Sequence, residues 1–230
     1  MPRTDPPARP SPGTWRVALR VGLLAAALVP VLAWSAWEVA IRAAPFPMER
    51  LQPGDSASVV VLDAQGEVLR ETASASGGRE RWTRLDAISP HLVDATLISE
   101  DRRFREHRGV DPFGVARALW LDARARRLAY GGSTLTMQLV KLLGREPRSL
   151  GRKIHEAVLA GRLERAASKD AILEQYLNRV YYGNGAWGAE SAARLYFGKP
   201  AHALSVGEAT LLSTLPRGPR AYDPFLHLDA

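Results

Sequence analysis

Hydrophobic and polar positions along this chain change their period twice. Residues 21–37 read VGLLAAALVPVLAWSAW and carry no charge. With flanks counted from 15 to 41, the run can span a bilayer core, which takes roughly 20 residues. Arg16 and Arg20 precede it, and Trp34 and Trp37 lie at its far end, where interfacial aromatics belong. The basic flank predicts a Pro-rich, disordered cytoplasmic tail over 1–14 and an extracytoplasmic chain after Arg42. Pro30 is tolerated in a membrane helix. A cleaved signal peptide is the rival reading. The length of the run, with no strong small-x-small site after it, favours an anchor.

Residues 42–57 are Pro-rich and read as a linker to one domain over 58–230. Within 58–71, SVVVLDAQGEVLRE places two β-rich runs around Asp63, Ala64, Gln65 and Gly66, a hairpin signal. Residues 74–78 read as a polar loop, and 81–83 as a further short strand. From Ser89 onward the period becomes helical. Ser89-Pro90 and Asp111-Pro112 are helix starts, a capping residue followed by Pro at the first helical position. Leu92, Ala95, Thr96 and Ser99 trace one face toward Glu100, and Val115, Leu119 and Leu128 carry the next helix. Phe113 and Trp120 there either join the core or meet the membrane. GGSTLTMQLVKLL, 131–143, is a glycine hinge into a helix capped by Ser133, with Leu135, Leu139 and Leu142 facing inward. A long helix follows over 149–167, and another, capped by Ser168, runs to 181. GNGAWG, 183–188, reads as a loop, then a short helix stops at Gly198. Ser205 and Glu208 form a capping box for the last helix. The pattern predicts a small β-hairpin leading into a mainly α domain.

Composition narrows the partners more than the fold. The 230 residues suffice for a membrane segment and one domain with a real core, or for two small domains. A net charge of +7 suits nucleic acid, an anionic membrane surface or a phosphorylated substrate. The anchor turns that choice away from nucleic acid, because it puts the basic domain on the side that lacks it. With 0 cysteines, a disulfide framework and a Cys-based metal site are excluded.

Several groups could do chemistry. EDRRFREHRGVD, 100–111, would stack Glu100, Phe104 and His107 on one face if helical. An acid, an aromatic and an imidazole make an odd solvent face, although a charged surface helix end has the same spacing. Gly131 and Gly132 free backbone N–H groups at a helix start, where an anion is welcome. Gln138 and Lys141 share a face. Arg152 and Lys153 pair with Glu156 at i,i+4 and i,i+3, contacts worth only about 0.2–0.5 kcal/mol by themselves. Carboxylates on separate helices, with cations beside a glycine-opened helix start, suit attack on a sugar whose leaving group is a phosphate.

EDRRFREHRGVDPFGVARA, GGSTLTMQLVK, GRKIHEAVLA and KDAILEQYLNRVYYGNGAWGAESAARLYFGK resemble, in order, the motifs of family 51 peptidoglycan glycosyltransferases. These are the lipid II polymerases of class A penicillin-binding proteins and of monofunctional enzymes. The resemblance runs over 58–225 and takes in the anchor. Met137 before Gln138, where most members carry a second Gln, is most similar to the 1C branch. The family implies a mainly α, lysozyme-like fold with a larger lobe, a smaller membrane-proximal lobe and a cleft between them.

By position, Glu100 matches the catalytic base. Glu156 matches the second catalytic glutamate, which serves the donor diphosphate directly or through a divalent metal, Mg or Mn. Ser133, Thr134, Gln138, Lys141, Arg152 and Lys153 match donor-binding positions, and His107 is a candidate substrate contact. Asp101, Phe104, Gly131 and Gly132 are motif residues that shape the site. The resemblance implies no organic cofactor. It implies polymerisation of lipid II into β-1,4 glycan with inversion and release of undecaprenyl diphosphate. The place would be the bacterial inner membrane, with the domain periplasmic. The partners would be lipid II, the growing lipid-linked glycan, the membrane and a separate transpeptidase.

There are departures. Met137 removes one amide, and Leu142 follows Lys141 where many members have Asn. The family's domain usually continues a little beyond 225, so a truncated C-terminal end is expected. Neither Ser-x-x-Lys nor Lys-Thr-Gly occurs, so no penicillin-binding transpeptidase signature is present. Two other readings remain: a lysozyme-like glycan-cleaving enzyme with Glu100 as acid, and a truncated, non-catalytic membrane-anchored scaffold. The cations argue against the first, because a neutral glycan needs no diphosphate partner.

Overall fold

The first element, α1 (Thr14–Ala43), is apolar almost throughout, with Pro30 inside it. The computed structural model describes residues 14–51, 58–65, 68–74, 77–126, 131–144 and 150–226. The expected tail over 1–13, residues 52–57 of the linker, Gly66 of the hairpin turn, Leu128 and part of the polar loop lie outside these residues. Within α1, Arg16–Ala43 is long and apolar enough to cross a membrane, its most apolar 18-residue window having a mean hydropathy of 2.1. At 1.5 Å per residue it extends about 42 Å. This helix makes up one unit of the chain, which ends at Ala44; the second unit begins at Pro45.

The second unit opens with Phe46 and Leu51, which pack on its core although they fall in the expected linker. The predicted hairpin follows as β1 (Val60–Leu62) and β2 (Val68–Glu71), antiparallel, with a register shift between Val61 and Leu62. The next strand is β3 (Arg79–Glu80), not 81–83. Side chains claim the backbone of 81–83 instead: Arg81 N donates to Ser191 Oγ at 2.9 Å and Thr83 N to Asn178 Oδ1 at 2.8 Å. The buried Asn178 amide donates back to Thr83 O at 2.8 Å. Nor are residues 183–188 simply a loop. They contribute to β4 (Tyr181–Gly183) and β5 (Ala186–Trp187), in a sheet of order β3-β5-β4 with β3 parallel to β5. Gly183, Asn184 and Gly185 take positive φ to turn between them. A Cβ on Gly78 would lie 2.5 Å from Gly185 O, so glycine lets these strands meet.

Helix α2 (Pro90–Glu100) starts where expected, although the Ser89 hydroxyl donates to Leu204 O at 3.0 Å instead of capping. It stops at Glu100, and residues 102–109 are turns and bends. The expected helical stack of Glu100, Phe104 and His107 is therefore absent. Asp111 caps α3 (Pro112–Ala125), accepting from Phe113 N at 3.1 Å. Phe113, Leu119 and Trp120 on α3 are exposed and do not join the core. Thr134, not Ser133, caps α4 (Leu135–Leu143). On that helix Leu135 and Leu139 face inward together with Met137 and Val140, whereas Leu142 is exposed.

The remaining helices are α5 (Leu150–Ala166), α6 (Lys169–Arg179), α7 (Ala189–Phe197) and α8 (Val206–Thr214). Ser168 caps α6, which ends short of 181 because Tyr181 pairs with Trp187 in the sheet. Gly198 ends α7 with φ 67°. The core places α2 against α8, and α4 against both α5 and α6. Gly109 lets the turn after α2 approach α5. With φ 93°, a Cβ there would lie 2.7 Å from the Ala160 carbonyl carbon and Gly161 N.

The predicted capping box at α8 forms. Glu208 accepts from Ser205 N at 2.8 Å and Ser205 Oγ at 2.7 Å, and pairs with Lys199 at 2.6 Å. Lys199 first, then Ser205, holds its carboxyl down at about 2, below the ordinary 4.5. A folded pKa below the unfolded one gives stabilisation that is present above 4.5 and lost as pH falls toward 2. The melting-temperature gap between wild type and Glu208→Gln should therefore be widest near neutrality and close in acid. A gap that does not change with pH would refute this account.

Candidate active site

A cavity of about 760 Å³ opens in the second unit. Its walls come from the end of α2, from α3, from α4 with the glycine segment before it, from the start of α5, and from the 3-10 turn Leu215–Arg217. Glu100 is the last residue of α2, so its carboxylate leaves the helix end into this space. Its Oε2 accepts from Gln138 Nε2 at 2.9 Å, and its Oε1 accepts from Arg217 Nε at 2.9 Å. Arg217 Nη2 also donates to Ser99 O, so one guanidinium grips both the carboxylate and the backbone beside it. Behind Gln138, the Tyr176 hydroxyl donates to Gln138 Oε1 at 3.3 Å. Burial first, and the Glu100 charge second, raise the Tyr176 phenol well above its usual 10. It stays protonated and able to donate. Ser99 Oγ adds a long contact to Oε1 at 3.5 Å, and since a carboxylate offers about four lone-pair sites, Glu100 can still accept from one further hydroxyl.

Elsewhere the lining is cationic. Lys141 lies one turn beyond Gln138 on α4. Arg152 Nε pairs with Glu156 Oε1 at 2.7 Å, within one turn of α5. Lys153 donates to the Ser133 hydroxyl rather than to Glu156, which ties the start of α5 to the glycine segment. Arg117 faces the cavity from α3. Arg117, Lys141, Arg152, Lys153 and Arg217 stand against the two carboxylates Glu100 and Glu156, so the cavity is net positive. A diphosphate brings the charge such a cavity lacks.

Of the residues singled out from the sequence, Glu100, Gly131, Ser133, Gln138, Lys141, Arg152, Lys153 and Glu156 line this one cavity. Asp101, Phe104, His107, Gly132 and Thr134 do not. His107 is buried, and its Nε2 lies 3.0 Å from both Asp101 oxygens, so it is no substrate contact in this arrangement. Asp101 Oδ2 also accepts from Leu135 N at 2.8 Å, and Thr134 Oγ1 accepts from Met137 N at 3.2 Å. The start of α4, expected to receive an external anion, thus already holds the chain's own carboxylate. Thr134 donates to Gly109 O at 2.6 Å, and Phe104 is buried under Lys169, whose Nζ is 4.3 Å from the ring centre. A Cβ on Gly132 would come within 3.0 Å of Val115 Cα, so glycine lets the chain pass α3. Sequence reasoning missed Arg217, Arg117, Ser99 and Tyr176. Arg217 sits between Pro216 and Gly218 with no partner nearby in sequence, and Arg117 reads as an ordinary polar position of α3.

A family model described as Transglycosylase matches residues 65–230. The chain belongs to the transglycosylase family. Among the family's proteins, the biosynthetic peptidoglycan transglycosylase of Azoarcus sp. strain BH72 is 40% identical over 210 residues, 91% of this chain and 87% of that protein. Penicillin-binding protein 1A of Aquifex aeolicus is 45% identical over 170 residues, 73% of this chain and 23% of the relative. Penicillin-binding protein 1C of Escherichia coli is 38% identical over 180 residues, 78% of this chain and again 23% of the relative. The chain thus spans under a quarter of the length of those penicillin-binding proteins. The mainly α, lysozyme-like class with a preceding hairpin is the one this transglycosylase has. Among its described residues no group of three or more His, Asp or Glu side chains is placed to hold a metal.

Asp101 holds this site's scaffold together, and Asp101→Ala would orphan Leu135 N and a buried imidazole. A loss of about 2–4 kcal/mol is expected, read as a lowered denaturation midpoint. An unchanged midpoint would deny Asp101 that role.

Proposed function

We propose that this chain is a peptidoglycan glycosyltransferase that polymerises lipid II. The observation that carries the proposal is that Glu100 shares one cavity with a wall of cations. Glu100 removes the proton from the 4-hydroxyl of the lipid II GlcNAc, and that oxygen attacks the anomeric carbon at the end of the growing, lipid-linked glycan. The new bond is O4–C1. The bond that breaks is C1–O to phosphate, and its electron pair leaves on undecaprenyl diphosphate. Displacement from the opposite face turns an α-linked donor into a β-1,4 product. The proton on Glu100 then returns to water.

A diphosphate is already a good leaving group. Lys141, Arg152 and Lys153 can stabilise its growing charge, where cleavage of a neutral glycan would call for a strong acid. The same cations weigh against the glycan-cleaving alternative. A divalent ion, Mg²⁺ or Mn²⁺, would be held by Glu156 together with phosphate oxygens, as ions that use one carboxylate plus substrate commonly are. When bound it would offset the diphosphate charge. Met137, Ser133 and Gly131 also line the cavity and add no charge to it.

In this reading α1 is a single-pass anchor in the bacterial inner membrane, with its N-terminus cytoplasmic and the domain periplasmic. Anchoring keeps the enzyme with a substrate that cannot leave the bilayer. Cross-linking of the glycan would fall to a separate transpeptidase.

The test is lipid II turnover by the detergent-purified chain with Mg²⁺ or Mn²⁺. Glu100→Gln should lower kcat by about 10²–10⁴-fold, the range for a lost general base. Polymer at wild-type rate from the variant would remove Glu100 from that role. Arg217→Ala should lower kcat about tenfold with little change in KM, because Arg217 aims the base; Arg217→Lys should recover part of it. A rise in KM alone would instead assign Arg217 to substrate binding.

A further inference from the structure

Gln138 is engaged at both ends of its amide. Nε2 donates to Glu100 Oε2 at 2.9 Å, and Oε1 accepts from the Tyr176 hydroxyl at 3.3 Å. The first contact lies in the cavity and the second behind it. Gln138 is part of the cavity lining, whereas Tyr176 is 1% exposed on α6 and is not. Leu173 and Leu177 near it on α6 are buried, as are Leu135 and Leu139 on α4. The packing of α4 against α6 therefore sets where the phenol meets the amide.

A primary amide is nearly symmetric in shape and opposite in polarity at its two ends. Its last torsion is broad and roughly two-fold, so sterics alone do not choose which end faces the carboxylate. Ionised Glu100 attracts Nε2 and repels Oε1. Once Glu100 holds a proton it can donate to Oε1 instead, and a turned amide would then retain that proton. Tyr176 opposes the turn. Burial above all, then the Glu100 charge, keeps its phenol protonated. That proton goes to Gln138 Oε1, and among the described residues no other acceptor takes it. Turning the amide would leave a buried O–H with nothing to receive its proton, an arrangement that folded proteins avoid.

We propose that Tyr176 is a positioning residue for Glu100: by donating to Gln138 Oε1, it keeps the amide N–H turned toward the carboxylate and so favours the proton-accepting state of the base. The assignment rests on the glycosyltransferase reading above. Tyr176 lies outside the cavity and acts through Gln138.

The test removes one oxygen. Tyr176→Phe keeps the ring in the core, and it should lower the kcat of lipid II turnover about three- to tenfold, the worth of one hydrogen bond, with KM unchanged. A second measurement, on the full-length chain in detergent, follows the amide without turnover. The glutamines of this chain are Gln52, Gln65, Gln138 and Gln175. With 15N-labelled glutamine, the pair of side-chain signals lost in Gln138→Leu belongs to Gln138. In Tyr176→Phe that pair should move toward the position of a free amide. Signals that stay in place would overturn the proposal, as would wild-type kcat in Tyr176→Phe or a rise in KM alone. Turnover with unmoved Gln138 signals sinks the role of Tyr176 and leaves the reaction standing. Moved signals in a chain that makes no polymer keep Tyr176 as the residue that orients the amide, and sink the glycosyltransferase reading.

Discussion

The buried Asp101 carboxylate is the contact on which the rest of the site depends. It ends α2 and, 34 residues later in the chain, receives the first backbone N–H of α4 while gripping His107. An unpaired carboxylate at this depth would be costly, so its partners are held in place as firmly as it is. The consequence is geometric. Glu100, one residue before Asp101, and Gln138, three residues after Leu135, are carried by the two segments that this contact joins. They meet at 2.9 Å. The motif's aspartate, histidine and threonine thus work beneath the cavity, and its glutamate works inside it.

Within the cavity the charges divide the labour. Glu100 is oriented chiefly by a neutral amide and one guanidinium, while Glu156 pairs with Arg152 in the part of the lining that also carries Lys141 and Lys153. The Arg217 side chain is 52% exposed, against 10% for Glu100. A pair so open on one side contributes only about 0–1 kcal/mol to stability. Its effect lies in direction, because the fork to Ser99 O and Glu100 fixes the plane of the carboxylate. Lys153 and Ser133 act similarly at the other end, joining two segments that approach one another from different parts of the chain.

Two spaces meeting at one set of cations give the molecule a polarity of its own. The larger space is polar and holds Glu100; the smaller, a neighbouring hollow that shares Lys141 and Arg152 with it, is more apolar, and Arg50 and Arg179 tie down the segment that lines it.

The sequence by itself determined the order and type of most elements. An uncharged apolar run, a hairpin signal, Asp111-Pro112, Ser168 and the Ser205–Glu208 box are all local, because periodicity, capping and turn chemistry act within a few residues. It also carried Glu100, Gln138, Lys141, Arg152, Lys153 and Glu156 in recognisable order. Tertiary structure decided the rest. It ended α2 at Glu100 and buried His107, where helical spacing alone would have run on. It filled the start of α4 with Asp101, and made short strands of a glycine-rich stretch by pairing it with itself and with the distant Arg79 and Glu80. It brought Arg217 to Glu100 across 117 residues. Each of these outcomes turns on which distant polar group satisfies a buried one, and that partner is chosen only once the chain has folded.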